Sequence, residues 1–377
     1  MLVQIEFEKQ PILFDNPEEI ISTYRPEDVP LCFEEMEKAV KDGYYLAGFI
    51  SYEAGYALED SFDYKQGYDF PLIYMGKYKG FKETPLVARG ITPGLKNLKI
   101  NIEKNSYFKN IDFIKSQIEK GETYQITYCL KMLFEVEGSR YKLFRHLFNL
   151  QNVPYPAYLE NEQFKILSLS PELFMKKTGG NIITKPMKGT WRRGINPVDD
   201  FICKWQLHFD KKNRAENVMI ADLLRNDLGR IGKNIAAPKL FEVARYNTLF
   251  QMTSTVTSDI DKDISLYKLF KALHPSGSVT GAPKVRAMEI IRKLEREDRK
   301  IYTGAIGYIT PQKDLCFNVP IRTLLVQGNK GEMGIGGGIV WDSTPEGEWD
   351  ECMLKGSFLE SARGRNRTGM AYSTEGF

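Results

Sequence analysis

Apolar residues recur along this chain in two rhythms, and the changes of rhythm mark its elements. Residues 31–40 read as a short helix closed near Gly43. The run 45–52 reads as a buried strand followed by Gly55, and the aromatic, glycine-rich stretch 64–79 as short strands and turns. Ser106 reads as a helix cap, with Tyr107, Ile111, Ile114 and Ile118 on one face and Gly121 at the end. In the β-type run 122–131, Gln125 and Thr127 share one face while Tyr124 and Ile126 share the other. A helix at 141–150 and strands at 157–159 and 164–169 lead into Ser170-Pro-Glu-Leu-Phe174, where Pro171 fixes Glu172 at a turn or strand start.

The second half continues in the same way. The run 211–224 reads as a helix whose buried face is mostly Val218, Met219, Ala221, Leu223 and Leu224, with Arg225-Asn-Asp227 ending it as cap and salt bridge. Another helical face spans 266–273, and then comes His274-Pro-Ser-Gly-Ser-Val-Thr-Gly-Ala-Pro-Lys284, small and glycine-rich. Pro283 suits the first turn of a helix running to about 294, a helix start that can bind an anion. Residues 302–309 and 315–326 read as paired strands, with Arg322 in an apolar run where it needs an anionic partner. Gly334-Ile-Gly-Gly-Gly338 brings backbone close to something. The last helix, starting near Thr344-Pro345, carries Glu348, Glu351 and Lys355 on one face. Two carboxylates there either repel in solvent or share a cation, and magnesium would suit.

Pro93-Gly94 and the polar residues after them mark a boundary. The expected organisation is an N-terminal subdomain at 1–95, a catalytic core at 96–362 and a disordered tail at 363–377.

The net charge of +3 gives no support to a nucleic-acid partner. Five scattered cysteines without a C-x-x-C pair point to reduced thiols and a cytoplasmic location. The start is not a signal peptide, no apolar run approaches membrane-spanning length, and three distant histidines argue against a histidine-rich zinc site.

The stretch with the most chemistry is Lys185-Pro-Met-Lys-Gly-Thr-Trp-Arg-Arg193, which follows a strand-like run at 181–184. Its Gly-Thr step lets a ligand approach the backbone, and Lys188 directly before it can serve as a charge clamp or, with a lowered pKa, as a nucleophile. On these residues alone, a solvated basic hairpin is the simpler account.

Five boxes change that balance. Ser-Pro-Glu172, Pro-Met-Lys-Gly-Thr190, the run from Ala215 to Asp227, the His274 to Lys284 loop, and Asp342 to Glu351 with Lys355 resemble the chorismate-utilising enzymes, in the right order. That family includes anthranilate, isochorismate, salicylate and aminodeoxychorismate synthases. The resemblance implies an α+β fold, two antiparallel β-sheets packed as a sandwich between layers of helices. It implies Mg2+ as cofactor, held by Glu216, Glu348 and Glu351. It implies chorismate contacts from Gln125, Gly189, Thr190, Thr280, Tyr302, Arg322, Gly336, Gly337, Gly338 and Lys355, and Lys188, Glu172 and His274 as catalytic groups. Water-using members carry a lysine where this chain has Gln125, so the resemblance implies ammonia as nucleophile. Lys188 stands where anthranilate-forming members typically have alanine, which points to the aminodeoxychorismate-forming branch. Ammonia would come from a separate glutamine amidotransferase subunit. The rivals are anthranilate formation and a non-catalytic chorismate-binding regulator.

Overall fold

Two antiparallel sheets form the centre of the computed structural model, which describes residues 1–59, 61–62, 65–86, 94–246 and 249–362. Among these residues, one sheet runs Gly281–Ala282, Gln125–Val136, Lys330–Ile339, Thr323–Gln327, Lys165–Ser170, Tyr155–Glu160, Leu2–Phe7, Gln10–Phe14, with Leu95–Ile100 also paired to Gln125–Val136. The other runs Met187–Arg192, Leu249–Ile260, Asn181–Lys185, Leu173–Thr178, Leu315–Asn318, Ala305–Ile309, Tyr45–Ile50, Ile73–Tyr78, Glu19–Thr23, with Gly232–Arg245 also on Leu249–Ile260.

The sheets pack face to face. Val3, Ile5, Phe7, Leu159 and Ile166 from the first meet Phe49, Leu173, Ile306 and Cys316 from the second in one buried cluster. Each such side chain withdrawn from water contributes about 1.5–3 kcal/mol. Helices cover the outer faces. Val29–Lys41, Lys211–Gly229 and Leu266–Leu273 pack on the second sheet, and Lys104–Glu119, Arg140–Gln151, Lys284–Leu294 and Pro345–Gly356 on the first. The fold is therefore the expected α+β sandwich. The strands before residue 95 join both sheets, Leu2–Phe7 pairing with Tyr155–Glu160 and Tyr45–Ile50 with Ala305–Ile309.

Several boundaries differ from expectation for visible reasons. The helix expected to start at Ser106 starts at Lys104, because Glu103 is extended and its carbonyl accepts from Tyr107 N–H. The 211–224 helix runs on to Gly229, and Arg225 and Asp227 lie within it. Asp227 forms a buried ion pair with Lys284 at 2.6 Å, while Arg225 pairs with Asp222 in solvent. Val218, expected inside, is exposed; Asn217, Ile220 and Leu228 take the buried face with Ala221 and Leu224. The expected strand 315–326 is two strands, which leave one sheet at Asn318 and enter the other at Thr323. The tail at 363–377, Tyr64 and Pro93 lie outside the described residues.

The helix Pro197–Phe209 has no counterpart in the sequence reading. Asn196 caps it, accepting from Val198 and Asp199 N–H, with Pro197 at the first position. It packs on the second sheet through Asp200, Cys203 and Leu207 and leaves Val198, Phe201, Ile202, Trp205 and Phe209 exposed.

Candidate active site

The chain crosses between the two sheets at Pro171-Glu172 and again at Val319 to Arg322, and the two crossings are bonded together. Ser170 Oγ donates to the Val319 carbonyl at 2.6 Å, Val319 N–H to the Glu172 carbonyl at 3.1 Å, and Leu169 N–H to the Arg322 carbonyl at 3.1 Å. Arg322 takes a left-handed backbone at φ 50° to make the turn. Glu172 and Arg322 are thereby fixed where the sheets meet.

At one end of each sheet stand the elements with the sequence-derived boxes. Met187–Arg192 pairs with Leu249–Ile260 and packs against the Lys211–Gly229 helix, which bears Glu216. Gly336, Gly337 and Gly338 pair with Cys129, Tyr128 and Thr127, and the Pro345–Gly356 helix lies on that strand. Thr344 caps this helix, accepting from Gly347 N–H.

Lys188 is half-buried, and its amine converges with the Gln125 carboxamide on Gly338. A Cβ on Gly338 would stand 2.5 Å from Lys188 Nζ and 2.3 Å from Gln125 Nε2. A Cβ on Gly337 would stand 2.6 Å from Glu348 Oε2 and 3.9 Å from Glu351 Oε1. The glycines therefore leave the room these groups occupy. Gly189 takes φ 94°, and Asn217 reaches the Lys188 carbonyl at 3.4 Å.

Burial pulls the Lys188 amine below the usual ammonium range; Glu216 opposes this and Lys355 adds to it. Burial pushes the Glu172 carboxyl up to about 7, against the Ser278 hydroxyl, Lys188 and the Met187 N–H, all of which favour its ionised form. Burial also raises Glu216 and Glu348. Lys355 holds Glu351 low, pairing with it at 2.6 Å while donating to the Gly336 carbonyl at 2.7 Å.

Three carboxylates with hard oxygen donors thus share this end of the molecule. Ser343 donates to Glu348 Oε1 at 2.6 Å, while Glu348 Oε2 is buried and has no hydrogen-bond partner among the described residues, a donor atom suited to a cation. Among the described residues, no three acidic, thiol or imidazole groups converge closely enough to hold an ion unaided. Water or ligand oxygens would have to complete the shell.

The remaining expected site residues differ in their surroundings. His274 is fully buried among Phe174 and Phe270, its Nε2 2.8 Å from the Ser51 carbonyl, and burial lowers it to about 4. It is neutral near pH 7, and its ring is held by the Ser51 carbonyl and the two phenylalanines. Thr280 spends its hydroxyl on the Ser276 carbonyl at 3.1 Å, inside its own loop. Tyr302 lays its ring over Gly334 with its hydroxyl at the Cys129 thiol. Its neighbour Thr303 is tied to Pro320 at 3.2 Å, close in the chain to Arg322. The Arg322 guanidinium donates to Gln151 at 3.1 Å; burial lowers its pKa, and Tyr246 is the ionisable group beside it. Thr190 is half-buried opposite Gln251. Sequence reasoning passed over Ser278, Asn217 and Tyr246; Ser278 lay in a loop already singled out, but nothing in its spacing pointed to Glu172.

The sequence profile of the chorismate binding enzymes matches residues 2–361. The chain belongs to that family. It is 35% identical over 259 residues to aminodeoxychorismate synthase component 1 of Klebsiella aerogenes, covering 68% of this chain and 57% of that one. It is 34% identical over 272 residues to anthranilate synthase component 1 of Aquifex aeolicus, covering 72% of this chain and 55% of that one. Aminodeoxychorismate synthase of Streptomyces griseus is 36% identical over 282 residues, 72% of this chain and 39% of that protein. The chain thus matches little more than half the length of these relatives, or less. Among solved structures, a putative 2,3-dihydroxybenzoate-specific isochorismate synthase from Bacillus anthracis superposes with TM-score 0.80 at 20% identity, over 96% of this chain and 95% of that one. Anthranilate synthase component I from Streptococcus pneumoniae gives 0.76 at 21% identity, over 95% and 90%. These two likenesses concern the fold. The same chorismate binding enzyme architecture carries several named reactions, so discrimination falls to the side chains in the cleft.

Proposed function

We propose that this chain is the large subunit of an aminodeoxychorismate synthase. It would convert chorismate and ammonia to 4-amino-4-deoxychorismate, toward p-aminobenzoate and folate. The observation that carries the reading is the Lys188 amine, drawn below the ordinary ammonium range in a cleft that also holds a raised carboxyl at Glu172. Similar identities to aminodeoxychorismate and anthranilate synthases do not separate the two products. Lys188, in the box where anthranilate-forming enzymes typically have alanine, favours the first.

In this mechanism the neutral Lys188 amine attacks C2 of chorismate. Both double bonds of the ring diene shift, and the C4 hydroxyl leaves as water with the proton of Glu172. Ammonia then adds at C4 as both double bonds shift back and the lysine leaves C2; Glu172 takes the surplus proton. Gln125, whose two amide atoms are buried without partners beside Lys188, offers an acceptor and a donor to the bound reactants. Arg322 would hold a substrate carboxylate, its guanidinium meeting Gln151 and Tyr246 but no carboxylate among the described residues. Lys355 and the backbone at Thr190 and Gly336 to Gly338 would face the ring carboxylate. Glu216, Glu348 and Glu351 would hold Mg2+, which supplies charge neutralisation at that carboxylate. Ammonia would be delivered by a separate glutamine amidotransferase subunit, a reading supported by relatives named as component 1.

The test is product identity. With chorismate, magnesium and ammonium, the protein is expected to yield 4-amino-4-deoxychorismate, read by chromatography and mass spectrometry. Anthranilate or isochorismate as the main product would overturn the assignment, and an unchanged chorismate diene would favour a binding protein.

A further inference from the structure

The loop from His274 to Lys284 places two buried hydroxyls in line with Glu172. Ser278 Oγ donates to Glu172 Oε1 at 2.6 Å, and Ser276 Oγ lies 2.9 Å from Ser278 Oγ. All three side chains are at most 3% exposed, so no bulk water competes for these bonds. The loop is itself pinned. Val279 N–H and Thr280 Oγ both donate to the Ser276 carbonyl, at 3.1 Å each, and Arg299 donates to the Val279 carbonyl at 2.9 Å.

A hydroxyl has one proton to give. Ser278 gives its proton to Glu172 Oε1, so within this pair Ser276 must be the donor to Ser278. That order keeps the Ser278 hydroxyl from turning away. We infer that the Ser276–Ser278 pair is a positioning device that reserves Glu172 Oε1 as an acceptor, so that a protonated Glu172 carries its hydrogen on Oε2. Oε2 is then the oxygen that presents the acid proton and later receives one. Among the described residues, the charged and titratable groups neighbouring Glu172 are Lys188 on the Met187–Arg192 strand and Tyr246, which also neighbours Arg322. His274 and Lys284, in the same loop, are engaged with Ser51 and Asp227 instead.

This inference rests on the acid and base role proposed above for Glu172, and its test separates the two. The protonation of Glu172 is followed without turnover, by infrared difference titration of the parent protein against Glu172→Gln. In Ser278→Ala the midpoint is expected to rise by about one pH unit, since a bond that favours the ionised form is gone. Ser276→Ala should move it the same way by less, and Ser278→Thr should leave it in place. In turnover, Ser278→Ala should lower kcat about tenfold with little change in KM for chorismate, and the alkaline limb of its pH profile should shift upward. An unmoved infrared midpoint in Ser278→Ala would overturn the inference. So would an unmoved midpoint in Ser276→Ala if the first variant failed to fold. If the protein makes some product other than aminodeoxychorismate, the infrared arm still decides the serine pair.

Discussion

Burial shifts both Lys188 and Glu172 toward their uncharged forms, the amine downward and the carboxyl upward. In the proposed mechanism the amine must be neutral to attack, and the carboxyl must be protonated to assist the leaving hydroxyl. Activity should therefore fall as pH drops and protonates Lys188, and fall again as pH rises through about 7 and ionises Glu172. A bell-shaped kcat profile is expected, with the alkaline limb abolished in Glu172→Gln at a much lower overall rate. The same raised carboxyl affects stability. The folded chain binds this proton more tightly than the unfolded chain does, so the contribution is full below the ordinary carboxylate range and is lost as pH rises through about 7. Glu172→Gln should gain on the parent between pH 5 and pH 8, by up to about 3 kcal/mol. Denaturant midpoints at the two pH values check it; equal pH dependence in both proteins would contradict it. Gly338→Ala is a third case at this scale. Its Cβ would meet Lys188 Nζ and Gln125 Nε2, both ends of flexible side chains. The fold should hold, with the unfolding midpoint nearly unchanged, while kcat/KM for chorismate drops more than tenfold.

Among the elements, the helix Pro197–Phe209 separates pattern from placement. Val198, Phe201, Ile202, Trp205 and Phe209 recur at helical spacing, so the signal for a helix was present in the sequence. The face they form looks outward, with Val198 at 70% and Phe201 at 63% exposure, while Asp200, Cys203 and Leu207 face the sheet. Asp200 is tolerated there because Arg193 pairs with it at 2.6 Å. Burying apolar residues is a rule about the core, not about every helix. Double replacement of Phe201 and Trp205 by glutamine should therefore change unfolding free energy by only about 0.5 kcal/mol, whereas Leu207→Ala should cost about 2–5 kcal/mol. Chemical denaturation of the three proteins tests this, and a large loss in the double variant would contradict the placement. Periodicity located most other helices well. It failed where the chain changes sheets, because the 315–326 run stays apolar while its hydrogen-bond partners change at Val319 to Arg322.

For the whole molecule, the candidate site exists because residues far apart in sequence meet at the ends of two sheets. The boxes named most of the groups that surround Lys188, since each box carries its residue on a short, locally determined segment. Their convergence on Gly337 and Gly338 depends on strand register and on the paired sheet crossings, which no local pattern encodes. For that reason nothing in the sequence showed that His274 is held by the Ser51 carbonyl, and Ser278 went unread although it touches Glu172. The account predicts a covalent adduct at Lys188, whose amine burial draws below the usual ammonium range. Mass spectrometry of the protein mixed with chorismate and magnesium, without ammonium, should find Lys188 carrying the mass of chorismate less water. An unmodified Lys188, together with undiminished aminodeoxychorismate formation by Lys188→Ala, would contradict it.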